Sequence, residues 1–233
     1  EYELFLPEDK HPFIEREEAE WELADVVLTG SDFVTEGLVS CGVEGGKCVR
    51  VPYGVNLETF SYRVREKRND GKLRILFVGQ VGLRKGIPYL LRALEMIGEK
   101  HIAVKIAGKI CVSNKVIDRY RASHDFLGEV PRSEIPDLYS WADVFVIPSL
   151  CEGSATVTYE ALASGVPVIA TPNTGSLVRD GIDGQIVPIR DPEAIASAIE
   201  KYISEPKLLE EHRRAAQGDR WRCGLDAYRK RLL

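Results

Sequence analysis

Asp143-Val-Phe-Val-Ile-Pro148, followed by Cys151-Glu152-Gly-Ser-Ala-Thr156-Val-Thr-Tyr-Glu160-Ala-Leu-Ala-Ser-Gly165-Val-Pro-Val-Ile-Ala170, decides the fold. The first part is a short apolar run rich in β-branched residues and reads as a buried strand. A turn of small residues carrying Glu152 follows, then a helix-like segment, then a second apolar run over Val166–Ala170. Strand, helix and strand in that order form a unit of a parallel sheet. In open sheets of this kind ligands bind at the carboxyl ends of the strands. The helix N-terminus placed there offers free N–H groups and a positive dipole end, both suited to phosphate. Carboxylates are poor phosphate ligands but good acceptors for sugar hydroxyls, so the combination suggests a phosphorylated sugar or a nucleotide sugar. At helical rise Glu152 and Glu160 are about 12 Å apart.

The flanking sequence repeats the alternation. From Lys72, strands are expected over Leu73–Val78, Ala103–Ala107, Asp125–Leu127 and Asp143–Ile147, and after the Glu-rich turn over Val166–Ala170 and Gln185–Val187. Helices are expected over Gly86–Lys100, where Leu90, Leu91, Leu94 and Ile97 share one face, and over Val112–Ala122. Ser133–Trp141 reads as a helix capped by Ser133, and Pro192–Ser204 as one capped by Asp191 with Pro192 at its first position. Two more helices run to Leu233. The fold class is therefore α/β: a Rossmann-like, mostly parallel sheet with helices on both faces. Upstream, Glu15–Leu23 reads as a helix and Ala24–Thr29 as a short strand. A helix capped by Ser31 or Asp32 follows and is broken at Gly42–Gly46, then a strand over Cys48–Pro52. The charged stretch Arg63–Asp70 reads as a linker, which places a domain boundary near residue 65.

The 233 residues suffice for one large domain or for one domain and part of another. With 31 basic and 36 acidic residues, the mixed charge of −5 argues against a nucleic-acid surface. No apolar run approaches membrane-spanning length, and the first residues lack a signal-peptide pattern. Five cysteines without Cys-x-x-Cys indicate neither a disulfide framework nor a zinc site and fit reduced thiols in a cytoplasmic protein. His11, His101, His124 and His212 are scattered and read as structural or solvent-exposed. Arg213, Arg214, Arg220 and Arg222 read as a solvated basic face, with contact to another part of the protein or to an anionic membrane as the alternative.

Three further strand-end loops are candidates for chemistry. Val78-Gly79-Gln80-Val-Gly82-Leu-Arg84-Lys85-Gly86 combines glycines with two cations able to neutralise a diphosphate. It matches neither a Walker A loop nor Gly-x-Gly-x-x-Gly. Thr171-Pro-Asn-Thr-Gly-Ser176 is either a plain turn or a source of phosphate donors. Phe126-Leu-Gly-Glu-Val130-Pro131 exposes backbone that can read a base edge.

Taken in order, these residues resemble the nucleotide-sugar-binding half of a retaining GT-B glycosyltransferase of family 4. Glu152 and Glu160 are similar to that family's Glu-x7-Glu pair. Ala161–Ala170, Phe77–Gly86, Leu127–Pro131, Asp143–Ser149 and Gly181–Gly184 fit its other motifs, over roughly residues 50–233. The resemblance implies that Glu160 holds ribose hydroxyls, and that Glu152 with the amides of Gly153, Ser154, Ala155 and Thr156 holds the donor sugar and diphosphate. Lys85, with Arg84, would neutralise the leaving diphosphate. Gly79 and Gln80 would line the loop, and Val130 would meet the base through its backbone. No cofactor and no metal are implied, since fixed cations and helix-end N–H groups can stabilise the departing charge and no Asp-x-Asp is present. The implied partners are a nucleotide-sugar donor and a carbohydrate or lipid-linked acceptor in a polysaccharide or glycolipid pathway. Peripheral contact at the inner membrane face is left open.

The chain departs from the family pattern at Gln80, where an Arg is usual, at Ser154-Ala155, where Phe-Gly is usual, and at Ser176, where an acid is usual. Residues 1–65 resemble the end of an acceptor domain with its linker, 66–218 the donor domain, and 219–233 a C-terminal crossing helix. The expectation is a chain that binds a nucleoside diphosphate but turns over little or no donor by itself. A non-catalytic nucleotide-sugar-binding module or assembly subunit is an alternative, and a nucleotide-sugar epimerase on the same fold is a second.

Overall fold

The computed structural model describes residues 12–63 and 70–233. The expected boundary near residue 65, most of its linker, and His11 lie outside the described residues. The chain begins with α1 (Pro12–Leu23), β1 (Val27–Thr29), α2 (Asp32–Ser40) and β2 (Cys48–Arg50). Strands β1 and β2 pair in parallel, Val27 opposite Cys48 and Thr29 opposite Arg50. Ser31 caps α2 as expected, its hydroxyl accepting from Val34 N at 3.3 Å.

The main unit runs β3 (Leu73–Val78), α3 (Ile87–Ile97), β4 (Ile102–Ala107), α4 (Asn114–Asp118), β5 (Asp125–Gly128), α5 (Ile135–Trp141), β6 (Val144–Ile147), α6 (Thr156–Ala163), β7 (Val168–Ala170), β8 (Gly184–Ile186) and α7 (Pro192–Ser204). Helix α8 (Pro206–Gly218), a 3₁₀ turn at Arg220–Cys223 and α9 (Leu225–Leu232) complete it. The six strands form one parallel sheet in the order β5-β4-β3-β6-β7-β8. The order reverses between β3 and β6, where Ile75 pairs with Val104 on one side and Val144 on the other. That reversal opens a crevice at the strands' carboxyl ends.

The apolar runs explain the layering. Every residue of β6 and β7 is buried, as parallel strands covered on both faces require. Helix α3 turns Ile87, Leu90, Leu91 and Leu94 inward, each contributing about 1.5–3 kcal/mol by burial. Helix α6 is buried nearly all round, from Thr158 to Ala163. It lies between β6 and β7 and the C-terminal elements α8 and the 3₁₀ turn.

Several expectations are corrected. The helix expected over Val112–Ala122 is only Asn114–Asp118, one turn flanked by further turns. Ser133 does not cap α5: turns over Pro131–Glu134 precede it, Glu134 stands at the cap, and Pro136 fixes the first turn. Of the segment 219–233 expected as a crossing helix, Arg220–Cys223 is a 3₁₀ turn and the helix starts at Leu225. The basic group is not a solvated face. Arg213 pairs with Asp143 at 3.2 Å, Arg222 with buried Asp183 at 2.7 Å, and Arg220 donates to the Leu57 and Phe60 carbonyls; Arg214 alone of the four stays largely exposed. The C-terminal segment thereby laces onto residues 52–60, an attachment completed by Arg231 donating to Pro52 O and by Val55 N donating to Cys223 O.

Candidate active site

Two loops leave the sheet on either side of the strand-order reversal and interlock. After β3, residues 79–86 form a compact loop. Gly86 has φ 72°, and a Cβ there would sit 1.8 Å from Pro148 O, so only glycine lets the two loops approach. Leu150 N donates to Arg84 O at 2.8 Å, and Arg84 Nη1 reaches the Cys151 carbonyl at 3.3 Å. The third loop locks onto the second. Thr171 Oγ1 donates to Ser149 O at 2.5 Å, Thr174 Oγ1 to Ile147 O at 3.2 Å, and Asn173 Nδ2 to Leu150 O at 2.8 Å. Of the two readings of Thr171–Ser176, the structure favours the turn: these side chains serve the scaffold.

Arg84, Lys85 and Glu152 are brought together. Lys85 Nζ lies 2.8 Å and Arg84 Nη1 2.6 Å from the same Glu152 Oε1. Lys85 and Glu152 are each 9 % exposed, so this is a largely desolvated pair, whereas the Arg84 side chain is about half in solvent. Gly79, at φ 145°, lies against the Lys85 stem, and Gln80 is exposed. Glu152 sits in the irregular turn ahead of α6. Helical rise therefore applies only from Thr156 onward and does not set the full Glu152–Glu160 separation.

The expected amide cradle is partly spent. Glu152 N donates to Asn173 O at 3.0 Å and Ala155 N to Thr174 O at 3.1 Å. Among the described residues no carbonyl takes the amides of Gly153, Ser154 or Thr156. Ser154 Oγ faces inward, 2.6 Å from Tyr159 Oη and 2.8 Å from Gly175 O. The Ser31 hydroxyl donates to Gly153 O at 2.5 Å, which ties the β1–β2 unit to the turn. Gly175 makes room for this contact, since a Cβ there would lie 2.6 Å from Ser31 Oγ.

Glu160 is fully buried in α6. Its Oε2 accepts from Tyr139 Oη at 3.0 Å, and Arg132 Nη2 stands 2.6 Å from Oε1. Burial pushes its carboxyl above the usual range, opposed by Arg132 and Tyr139. Burial and the neighbouring Glu160 carboxylate hold the Tyr139 phenol well above its ordinary value. Val130 is half-buried, and among the described residues its N–H and C=O have no backbone partner. Arg132, Tyr139 and Ser31 escaped the sequence reading as site residues. Only Tyr139 had a signal, as an inward position on a helix two residues before a strand. Among the described residues no group of three or more His, Cys, Asp or Glu could hold a metal ion. Nor is any described helix long and apolar enough to cross a membrane.

A doubly wound parallel sheet with cations, a carboxylate and a helix N-terminus at its crevice has the layout of a nucleotide-binding α/β domain. Residues 59–219 match the family model for glycosyl transferases group 1, and the protein belongs to that family. An uncharacterized glycosyltransferase of Methanocaldococcus jannaschii is 33% identical over 164 residues, which cover 66% of this chain and 42% of that protein. The D-inositol 3-phosphate glycosyltransferase of Thermobifida fusca is 29% identical, covering 97% of this chain and 59% of its own length. Sucrose-phosphate synthase from Thermosynechococcus elongatus superposes with a TM-score of 0.79 at 26% identity, over 93% of this chain and 58% of that one. Anabaena HepE, crystallised with UDP and glucose, gives 0.77 at 16% identity, over 92% and 65%, a likeness of fold alone. The chain spans about half the length of the curated relatives it matches.

Proposed function

We propose that the protein is a retaining glycosyltransferase of the family 4 type, with this chain supplying the donor-binding part. It moves a sugar from a nucleoside diphosphate to a hydroxyl of a carbohydrate or lipid-linked acceptor. The observation that carries this is the convergence of Lys85 and Arg84 on Glu152 at the strand-order reversal, beside the N-terminus of α6. In the reaction the bond between the anomeric carbon and the diphosphate oxygen breaks, and a bond from that carbon to the acceptor oxygen forms. The diphosphate leaves with the bonding pair, and the acceptor hydroxyl gives up its proton to the departing phosphate oxygen. Lys85 and Arg84 stabilise the charge arising on that oxygen, together with the amides of Gly153, Ser154 and Thr156, so no metal is needed. Glu152, relieved of its cations, accepts from a hydroxyl of the donor sugar. Glu160 takes the ribose, and the Val130 backbone takes the base.

Residues 66–218 form the donor unit in this reading. Transfer itself is proposed for the whole protein, working in the cytoplasm on polysaccharide or glycolipid synthesis, and little turnover is expected of the chain alone. Titration with UDP and with GDP in the presence of EDTA tests the donor half. Micromolar binding of one of them, lost in Lys85→Ala, supports it; no heat with any nucleoside diphosphate refutes it.

A further inference from the structure

The two oxygens of Glu160 are held in different ways. Oε2 faces Tyr139, which is fully buried and wedged edge-on between Phe60 at 5.9 Å and Phe145 at 5.6 Å. Oε1 faces Arg132, whose side chain is 68% exposed and whose guanidinium lies 5.1 Å above the Phe60 ring. The first partner is fixed by packing on every side. The second belongs to the loop between β5 and α5 and has water as an alternative partner.

The Tyr139 hydroxyl has a single proton and, among the described residues, two acceptors at 3.0 Å, Glu160 Oε2 and the Val157 carbonyl. An ionised carboxylate takes that proton in preference to a neutral carbonyl. Tyr139 therefore selects and orients the ionised form of Glu160 without occupying Oε1. A buried carboxylate oxygen cannot be left without a donor at low cost. Among the described residues Oε1 is buried without a hydrogen-bonded donor, and Arg132 Nη2 meets it only as an ion pair at 2.6 Å, so its place for a donor is open to a ligand.

We propose that Tyr139 is the positioning residue of the ribose site, that Oε1 is the oxygen that accepts a ribose hydroxyl, and that Arg132 is the exchangeable ion-pair partner that stands at this place until a nucleotide arrives. This rests on the reading of Glu160 as the ribose ligand. Specificity for a ribonucleotide then depends on two residues outside the Glu-rich turn. A ligand without the hydroxyl leaves Arg132 in place and gains nothing from Glu160.

The experiment is calorimetric titration of whichever of UDP and GDP binds, and of its 2′,3′-dideoxy counterpart, to the wild type, Tyr139→Phe and Arg132→Ala. The wild type is expected to prefer the ribose form. Tyr139→Phe lowers that preference about tenfold, with dideoxy binding unchanged; general loosening of the fold would instead weaken both ligands alike. Arg132→Ala strengthens binding of the ribose form several-fold and leaves the dideoxy form alone. Because Arg132 is on the surface, this second variant decides the matter should Tyr139→Phe fail to fold. A wild type that prefers ribose, combined with an unchanged ratio in folded Tyr139→Phe or with equal weakening of both ligands in Arg132→Ala, overturns this inference and leaves the proposed function standing. A wild type indifferent to the ribose hydroxyls overturns the role of Glu160 and this inference with it.

Discussion

Lys85 Nζ lies 2.8 Å from Glu152 Oε1, across the gap between the loops that follow β3 and β6. Arg84 holds the same oxygen from the solvent side. One carboxylate thus occupies two cations that the proposed reaction needs for a diphosphate, and a bound diphosphate competes with Glu152 for them. The exposed Arg84 pair contributes little; the Lys85 pair, both partners largely out of water, is the one that matters.

Glu152→Gln is therefore expected to tighten binding of the free nucleoside diphosphate by about threefold to tenfold, or about 1 kcal/mol, while lowering sugar transfer by the whole protein. Calorimetry with UDP and GDP checks the first part. Weaker diphosphate binding in Glu152→Gln would show that the carboxylate assists the cations instead of competing with the ligand.

Gly86 carries the interlock of the two loops. At φ 72°, with the virtual Cβ 1.8 Å from Pro148 O, Gly86→Ala needs both an unfavourable backbone conformation and a shift of one loop. A loss of about 3–5 kcal/mol is expected, read as a lowered urea midpoint. Gly71→Ala, also at positive φ but with open space around it, serves as the control and costs about 1 kcal/mol.

Stability should fall as the solution is acidified below neutrality. Burial lowers the pKa of His212, whose Nδ1 lies 2.7 Å from Tyr202 Oη, and likewise that of His124. A histidine held neutral in the fold contributes stability above its unfolded pKa of about 6.5. That contribution is lost as pH falls through the lower, folded value. Glu160, raised by burial, works the other way and costs stability as pH rises from the ordinary carboxylate range through its folded value. Urea unfolding at pH 7 and pH 5.5 should show a lower midpoint at pH 5.5, with a smaller drop in His212→Gln. An equal drop in the variant would remove His212 from the account.

The thiols should divide by exposure. Cys41, Cys111 and Cys151 are exposed, Cys48 is half-buried, and burial pushes the Cys223 thiol up to about 12. A thiol-disulfide reagent at pH 8 is expected to modify the first three fast and Cys48 slowly. Cys223 should react only on unfolding. Fast modification of Cys223 in the native state would contradict its placement beneath α6.

Much of the sheet was legible because β6 and β7 are unbroken apolar runs, and β3 and β4 are apolar but for Arg74 and Lys105 and end at Gly79 and Gly108. Leu73–Val78 and the helix Pro192–Ser204 agree with the sequence reading to the residue, the latter because Asp191 and Pro192 mark its start unambiguously. The helix after Lys109 was overread: its apolar residues are too few to fill a face, and turns end it at Asp118. That the loops carrying Arg84, Lys85 and Glu152 lie at the same end of one parallel sheet was legible; that β3 and β6 are neighbours, which makes the three residues meet, is given by the structure. The grip on Glu160 was not legible, since Arg132 and Tyr139 lie more than twenty residues upstream, Arg132 carries no local pattern, and the inward helix position of Tyr139 reads as core. Arg213, Arg220 and Arg222 misled for a similar reason. Their carboxylate and carbonyl partners are distant in the chain, and arginines spaced along a helix resemble a wet face until those partners are known.

The hydrogen bond from Ser31 to the Gly153 carbonyl joins the small two-stranded sheet to the turn in front of α6. Any hinge motion that carries residues 27–50 away from the main sheet must first break it. The turn then loses the strut on its outer side and Gly153 is released to rotate its peptide. Ser31 is thus the tie between that small sheet and the proposed phosphate cradle, whose ties from Ala155 N to Thr174 O and from Ser154 Oγ to Gly175 O stay within the loops of the main sheet.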